Sequence, residues 1–251
     1  MKIENFRCLG GSCGHQRMKR NKLFRSGRLC GLDEADIALL AKHRITHIID
    51  LRSDEERLSD PYELPDSFQV HPCSALKTRD GLENFYFFML IHEHSTAAEI
   101  HEAAAFIREG YQVLPFHNKA FALLIKLMEQ DDGAILFHCS SGKDRTGVLA
   151  ALVQKLLGVD DEEIWAEYLR SNEYALAHAK QNADRLGFYG ETRDAIIYCC
   201  SVHEELLQST WDAVLAKYAN WPEFFYREYG LDEQRIAKLR QGYCEAKGIR
   251  S

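Results

Sequence analysis

The chain has 251 residues, 46% of them hydrophobic and 27% charged, with a formal net charge of −7. That length fits one large α/β domain with additions or two small domains, and the composition supports a sizeable core. The acidic balance argues against a general binder of nucleic acid or anionic membrane, so an anionic substrate would have to meet a local basic site. In chain order, residues 5–30 are rich in Gly, Arg and Cys and read as loop with short strands. Asp33 is placed to cap a helix carrying Ile37, Leu39 and Leu40. Residues 45–52 form a short β-branched run ending in polar residues, the pattern of a buried parallel strand that feeds an active-site edge. A second strand is expected at 67–73.

Residues 82–116 are apolar and aromatic (Phe85 to Leu90), then helical over 97–108. They read either as core helix or as a mobile cover over a pocket. A helix over 117–129 leads to the turn Asp131-Asp132-Gly133 and the strand Ala134-Ile135-Leu136-Phe137. A loop at 138–145 runs straight into a helix over 146–157. Asp160 or Asp161 caps the next helix, with Ile164, Trp165 and Leu169 on one face. The remainder, to about 247, is helical in pattern, with breaks near Gly187, Trp221-Pro222 and Gly230. Strands alternating with helices predict an α/β fold, a parallel or mixed sheet flanked by helices.

The eight cysteines are too sparse for a disulfide scaffold, so reduced thiols are expected, one or two of them used for chemistry. Cys8 and Cys13 are too loosely spaced for a zinc knuckle, and His92-Glu93-His94 and His101-Glu102 make no H-E-x-x-H helix. No metal and no cofactor are expected.

A C-x5-R pattern occurs at Cys73…Arg79, Cys139…Arg145 and Cys244…Arg250, and context separates the three. Phosphoryl transfer to sulfur needs converging backbone donors, a cation on the equatorial oxygens and an ionised thiol. A tight loop between a strand end and a helix N-terminus supplies these as an anion nest with a favourable dipole. The middle candidate alone follows an apolar strand, has a small flexible loop and starts a strong helix. Cys139 is therefore the expected nucleophile and Arg145 the group that grips phosphate through a bidentate fork. Ser140, Ser141, Gly142, Lys143 and Thr146 complete the phosphate loop. Lys143 adds a second cation, and the Thr146 hydroxyl can donate to the thiolate. His138 is expected to orient the cysteine backbone from outside the loop, against the alternative of a satisfied structural histidine.

The leaving alcohol needs a general acid. No Asp lies between Asp80 and Asp131, and Asp131 and Asp132 fall at the opposite end of their strand. Asp144, inside the loop, is the expected acid, with Asp60 and Asp66 as remote competitors. Trp221-Pro222-Glu223 reads as a helix break.

Residues 138–147 resemble the H-C-x-x-G-K-D-R-T-G loop of an atypical tyrosine phosphatase family, found mostly in bacteria and fungi, some of whose members act on phosphoinositides. Asn5-Phe6-Arg7-Cys8-Leu9-Gly10-Gly11 is similar to the family's N-F-R-D-L-G-G opening, with Cys8 where Asp is usual. Leu23-Phe24-Arg25-Ser26-Gly27 is similar to its Y-R-S element. Ile49-Asp50-Leu51-Arg52-Ser53, with Glu55 or Glu56, is similar to its D-L-R-S-x-x-E, and 226–239 to its closing helices. The resemblance implies a tyrosine-phosphatase-like fold in a single domain over 1–251, with a helical lid inserted within 82–118. It implies an in-loop Asp acid and no metal. Asp50 and Arg52 would lie near the site, as substrate contacts or as a structural pair.

Together these features predict a phosphatase working through a cysteinyl-phosphate, on phosphotyrosine with dual specificity open. The alternatives are a phosphoinositide phosphatase and a phosphate-binding module without turnover. The expected partner is a phosphorylated protein or phosphoinositide, not nucleic acid or a membrane interior. No stretch approaches the roughly 18 continuous apolar residues of a membrane span. Residues 1–8 lack the apolar core of a secretory signal. A cytoplasmic location is expected, with signal-independent export open.

Overall fold

The computed structural model describes residues 3–75 and 94–247. A five-stranded sheet is built from β1 (Arg7–Cys8), β4 (Leu23–Ser26), β5 (Ile45–Asp50), β6 (Gln69–Pro72) and β7 (Ala134–His138). Its order is β1-β4-β7-β5-β6, parallel except for β1. The pleat sends alternate side chains to opposite faces. Ile135 and Phe137 of β7 enter the larger core, whereas Ala134 and Leu136 enter a smaller one with Phe24, Leu40 and Ile48.

The smaller face is covered by α1 (Glu34–Lys42), capped as expected by Asp33, whose side chain accepts from the Asp36 amide. The other helices introduced here build around the larger core, apart from α2 (Asp54–Ser59), which buries no residue of its own. α3 (Ala97–Val113) buries Ile100, Ala103, Ile107 and Tyr111, a one-sided stripe at helical spacing. α4 (Lys119–Gln130) ends at Asp131, in a left-handed conformation. α5 (Arg145–Leu157) is buried along almost its whole length, as befits the central helix of such a fold. Of the expected lid segment 82–118, residues 82–93 lie outside the described residues. Its C-terminal part is α3, with that stripe packed into the core.

Behind these stand α6 (Asp161–Leu169), α7 (Asn172–Arg185), α8 (Gly190–Cys200), α9 (Glu204–Lys217), α10 (Trp221–Tyr229) and α11 (Glu233–Tyr243). The breaks expected near Gly187 and Gly230 are present, and Pro222 opens α10 within its first turn. The break at Ser201–His203 has no Gly or Pro. Asn172 makes it, donating to Val202 O at 2.8 Å and accepting from Val202 N at 2.9 Å. Helix does not continue to 247. Cys244–Ala246 is a strand, β8, in a small antiparallel sheet with β3 (Gln16–Met18) and β2 (Ser12–Cys13). Pairing with a distant partner there overrides the local helical pattern.

Candidate active site

Three parallel strands end at one edge of the sheet in register, with Ser26 and Asp50 each opposite His138. Residues 139–144 leave the central strand at that edge and enter α5. Cys139 is 2% exposed and Arg145 5%. Gly142 takes φ +66°, and a Cβ there would lie 2.3 Å from Ser26 O. Only glycine fits both the conformation and the space.

Glu56 organises the loop. Its Oε2 accepts from Arg145 Nη1 at 2.5 Å and its Oε1 from Arg145 Nη2 at 2.7 Å and Ser140 Oγ at 2.5 Å. The same carboxylate is fixed by the cap of α2. Ser53 N donates to Glu56 Oε2 at 2.9 Å, and Glu56 N to Ser53 Oγ at 3.2 Å. Of the two glutamates left open by the sequence, Glu56 is therefore the one at the loop. Burial alone would raise its pKa, but the hydrogen bonds and charge of Arg145, with Ser140, outweigh that and hold it at about 2. A carboxyl so depressed stabilises the fold above its ordinary value near ~4.3, and that contribution fades as pH falls toward the folded value. Glu56→Gln removes the carboxylate that clamps a buried guanidinium and is expected to cost about 3 kcal/mol of stability at neutral pH. Urea unfolding at pH 7 and pH 3 checks this. The difference between wild type and variant should shrink at the lower pH.

Asp50 and Arg52 form a structural pair. Both are 1% exposed. Arg52 Nε and Nη2 meet Asp50 at 3.0 and 2.9 Å, and Nη1 donates to Asp60 O at 2.9 Å. Burial works against ionised Asp50, but His138 and Arg52 together keep its pKa below the ordinary value. His138 is fully buried, and burial lowers its pKa, so it is neutral at pH 7. Its Nδ1 lies 3.2 Å from Cys139 O and must carry the hydrogen, so Nε2 accepts from Tyr62 Oη at 2.9 Å.

The opening elements brace the loop from behind. Asn5 Nδ2 and Arg25 Nη2 both donate to Gly142 O, at 2.9 and 2.8 Å. Glu167 of α6 holds Arg25 at 3.4 Å and Arg7 at 2.9 Å. Cys8, in the usual place of an aspartate, accepts from Asn21 N at 3.2 Å.

Asp144 starts α5 without capping it. Its Oδ1 accepts from Tyr111 Oη at 2.8 Å, and its Oδ2 lies 3.1 Å from Lys143 Nζ. The competitors are engaged or remote: Asp60 pairs with Arg28 at 3.0 Å, and Asp66 is exposed. Thr146 Oγ1 is buried with no hydrogen-bond partner among the described residues. Beside the loop, a cleft of about 340 Å³ runs between Ser140, Ser141, Lys143 and the face of α7 that carries Tyr174, His178 and Arg185. Its lining has Arg28, Lys143, Arg185 and one carboxylate, Glu4, with Arg28 also paired to Asp60 and Lys143 to Asp144.

A mixed sheet whose central strand passes through a Cys-to-Arg loop into a buried helix is a tyrosine-phosphatase-like architecture. The chain belongs to the tyrosine phosphatase family, whose profile it matches over residues 1–245. It is 33% identical over 173 residues to the triple specificity protein phosphatase PtpB of Mycobacterium tuberculosis, covering 62% of this chain and 63% of that one. The match therefore spans less than two thirds of that relative's length. It is 28% identical over 244 residues to a Cupriavidus necator protein named as a candidate tyrosine-protein phosphatase, covering 96% of this chain and 86% of that one. Among solved structures, TpbA of P. aeruginosa in complex with pTyr aligns with 81% of this chain and 96% of its own, at 16% identity and a TM-score of 0.31. That likeness is too remote to add to the sheet order above.

Sequence reasoning missed Tyr62, Tyr111, Glu167 and Tyr168. For Glu56 the signal existed: Ser53 followed three residues later by Glu is a capping box, which fixes that carboxylate rather than its neighbour's. Among the described residues, no helix is long and apolar enough to cross a membrane.

Proposed function

We propose that the chain hydrolyses phosphomonoesters through a cysteinyl-phosphate on Cys139, with phosphotyrosine as the main substrate and dual specificity open. The observation that carries this reading is Arg145 held end-on by Glu56 directly after the cysteine loop. A guanidinium has five donors in one plane, so an end-on clamp orients its side edge for two oxygens of a phosphoryl group. Cys139 attacks phosphorus in line, the P–S bond forms, and the ester P–O bond breaks. Asp144 gives its proton to the departing oxygen. Water then attacks the phosphorus, Asp144 takes the proton back, and the thiolate leaves. Ser140, Ser141, Gly142, Lys143 and Thr146 surround the phosphate, and His138, Asp50 and Arg52 support the loop.

The chain works as one phosphatase domain. Its eight free thiols suit a reducing, cytoplasmic setting.

A second reading, phosphoinositide hydrolysis, is favoured by the three cations that line the cleft beside the loop. The test is phosphate release, in chelator, from phosphotyrosine and phosphoserine peptides, phosphoinositides and an aryl phosphate. Phosphotyrosine turned over fastest is the expected result. Phosphoinositides turned over fastest would transfer the assignment to lipid, and no turnover on any would leave a phosphate-binding module.

A further inference from the structure

Asp144 is held by more than its own loop. Tyr111 of α3, fully buried, donates to Oδ1 at 2.8 Å, and Tyr168 Oη of α6, 1% exposed, lies 2.8 Å from Tyr111 Oη. A phenol carries one hydrogen. With that of Tyr111 directed at Asp144, Tyr168 must donate to Tyr111, so the chain runs in one direction, Tyr168 to Tyr111 to Asp144. Burial, reinforced by Asp144, pushes both phenols well above their ordinary pKa, so both hydrogens stay in place at neutral pH. The pair is anchored from other elements. Thr210 Oγ1 of α9 donates to Tyr111 O at 2.9 Å. The Tyr168 ring packs so closely on Gly147 of α5 that a Cβ there would come within 3.0 Å of it.

Two consequences follow for the carboxyl. Its rotation is fixed from the protein side, and Oδ1 is committed as an acceptor. Lys143 Nζ lies across both oxygens, 3.1 Å from Oδ2 and 3.3 Å from Oδ1, so Tyr111 is what distinguishes them, and Oδ2 is the oxygen left to carry a transferable proton. We propose that Tyr111, backed by Tyr168, is a positioning residue that aims Asp144 and makes Oδ2 the proton-donating oxygen. This rests on the assignment of Asp144 as acid and adds a helix outside the loop to the acid step.

The test compares kcat and KM for an aryl phosphate with a good leaving group and an alkyl phosphate with a poor one. The enzymes are wild type, Tyr111→Phe, Asp144→Asn and the double variant, each checked by near-UV circular dichroism. Tyr111→Phe is expected to lower kcat for the alkyl ester by about 10- to 100-fold, within what a general acid supplies, with KM little changed and the aryl ester slowed by less than about 3-fold. In the Asp144→Asn background it should have no further effect, the mark of two groups acting in one step. Tyr168→Phe removes only the outer hydrogen bond and should act in the same direction by about 3- to 10-fold, which keeps the proposal testable if Tyr111→Phe folds poorly. Equal slowing of both esters by the tyrosine variants, or effects that multiply with Asp144→Asn, would overturn it. If Asp144→Asn itself slows both esters equally, the acid assignment fails, and the positioning role with it.

Discussion

Cys139→Ser is expected to reduce phosphate release to below about 10⁻⁴ of wild type while leaving phosphate binding intact. The substitution is nearly isosteric at a buried position, and the backbone around it is held by contacts that do not involve the sulfur: His138 Nδ1 at Cys139 O and Arg28 N at Ser140 O. A serine hydroxyl is not ionised at neutral pH, so it would need a base. The nearest imidazole, His138, has one nitrogen on Cys139 O and the other on Tyr62 Oη, and neither serves as one. Arg145, Lys143 and the loop amides remain to hold a dianion. Initial rates on an aryl phosphate, with calorimetric titration of inorganic phosphate, separate the two effects. Turnover within a hundredfold of wild type would rule Cys139 out as nucleophile.

Arg145→Lys is expected to lower kcat/KM by about 10²- to 10³-fold and to weaken phosphate binding. The two cations carry the same charge, so the loss measures geometry. Glu56 meets both Nη atoms of Arg145 at once, at 2.5 and 2.7 Å, and a planar guanidinium so clamped can present a second, parallel pair of donors. An ammonium group has no plane to clamp. It would sit against Glu56 as a point charge and offer the phosphate one donor where two were aligned. Steady-state kinetics and inhibition by phosphate read the change. Activity within about threefold of wild type would mean that charge, not the fork, is what the site requires.

The loop's place was legible because three local signals coincide at Cys139 and not at the other two C-x5-R patterns: an apolar strand before it, small residues including a glycine within it, and a helical pattern after the arginine. The strand ending in Asp50 was legible for the same reason, a β-branched run that stops at charge. What local pattern could not decide was the role of that charge. Asp50 and Arg52 are ion-paired, and Arg52 also reaches Asp60 O from beyond α2, a contact made only when the chain folds back.

The tyrosines were invisible for a different reason. Tyr111 falls on the stripe Ile100, Ala103, Ile107, where it reads as one more core residue, and only the approach of α6 and the start of α5 gives its hydroxyl partners. The last strand, Cys244–Ala246, was misread as helix because its partner, β3, lies more than two hundred residues earlier in the chain.

The most direct test of the covalent mechanism is to catch the intermediate. In Asp144→Asn enzyme, breakdown of a cysteinyl-phosphate loses its base, while attack on an aryl phosphate with a good leaving group proceeds. Rapid mixing in chelator, quenching and peptide mapping by mass spectrometry should then find one phosphoryl group on the peptide carrying Cys139, formed in a burst with the released phenol. A burst with the phosphoryl group on another residue, or steady release with no enzyme-bound phosphate, would contradict the account.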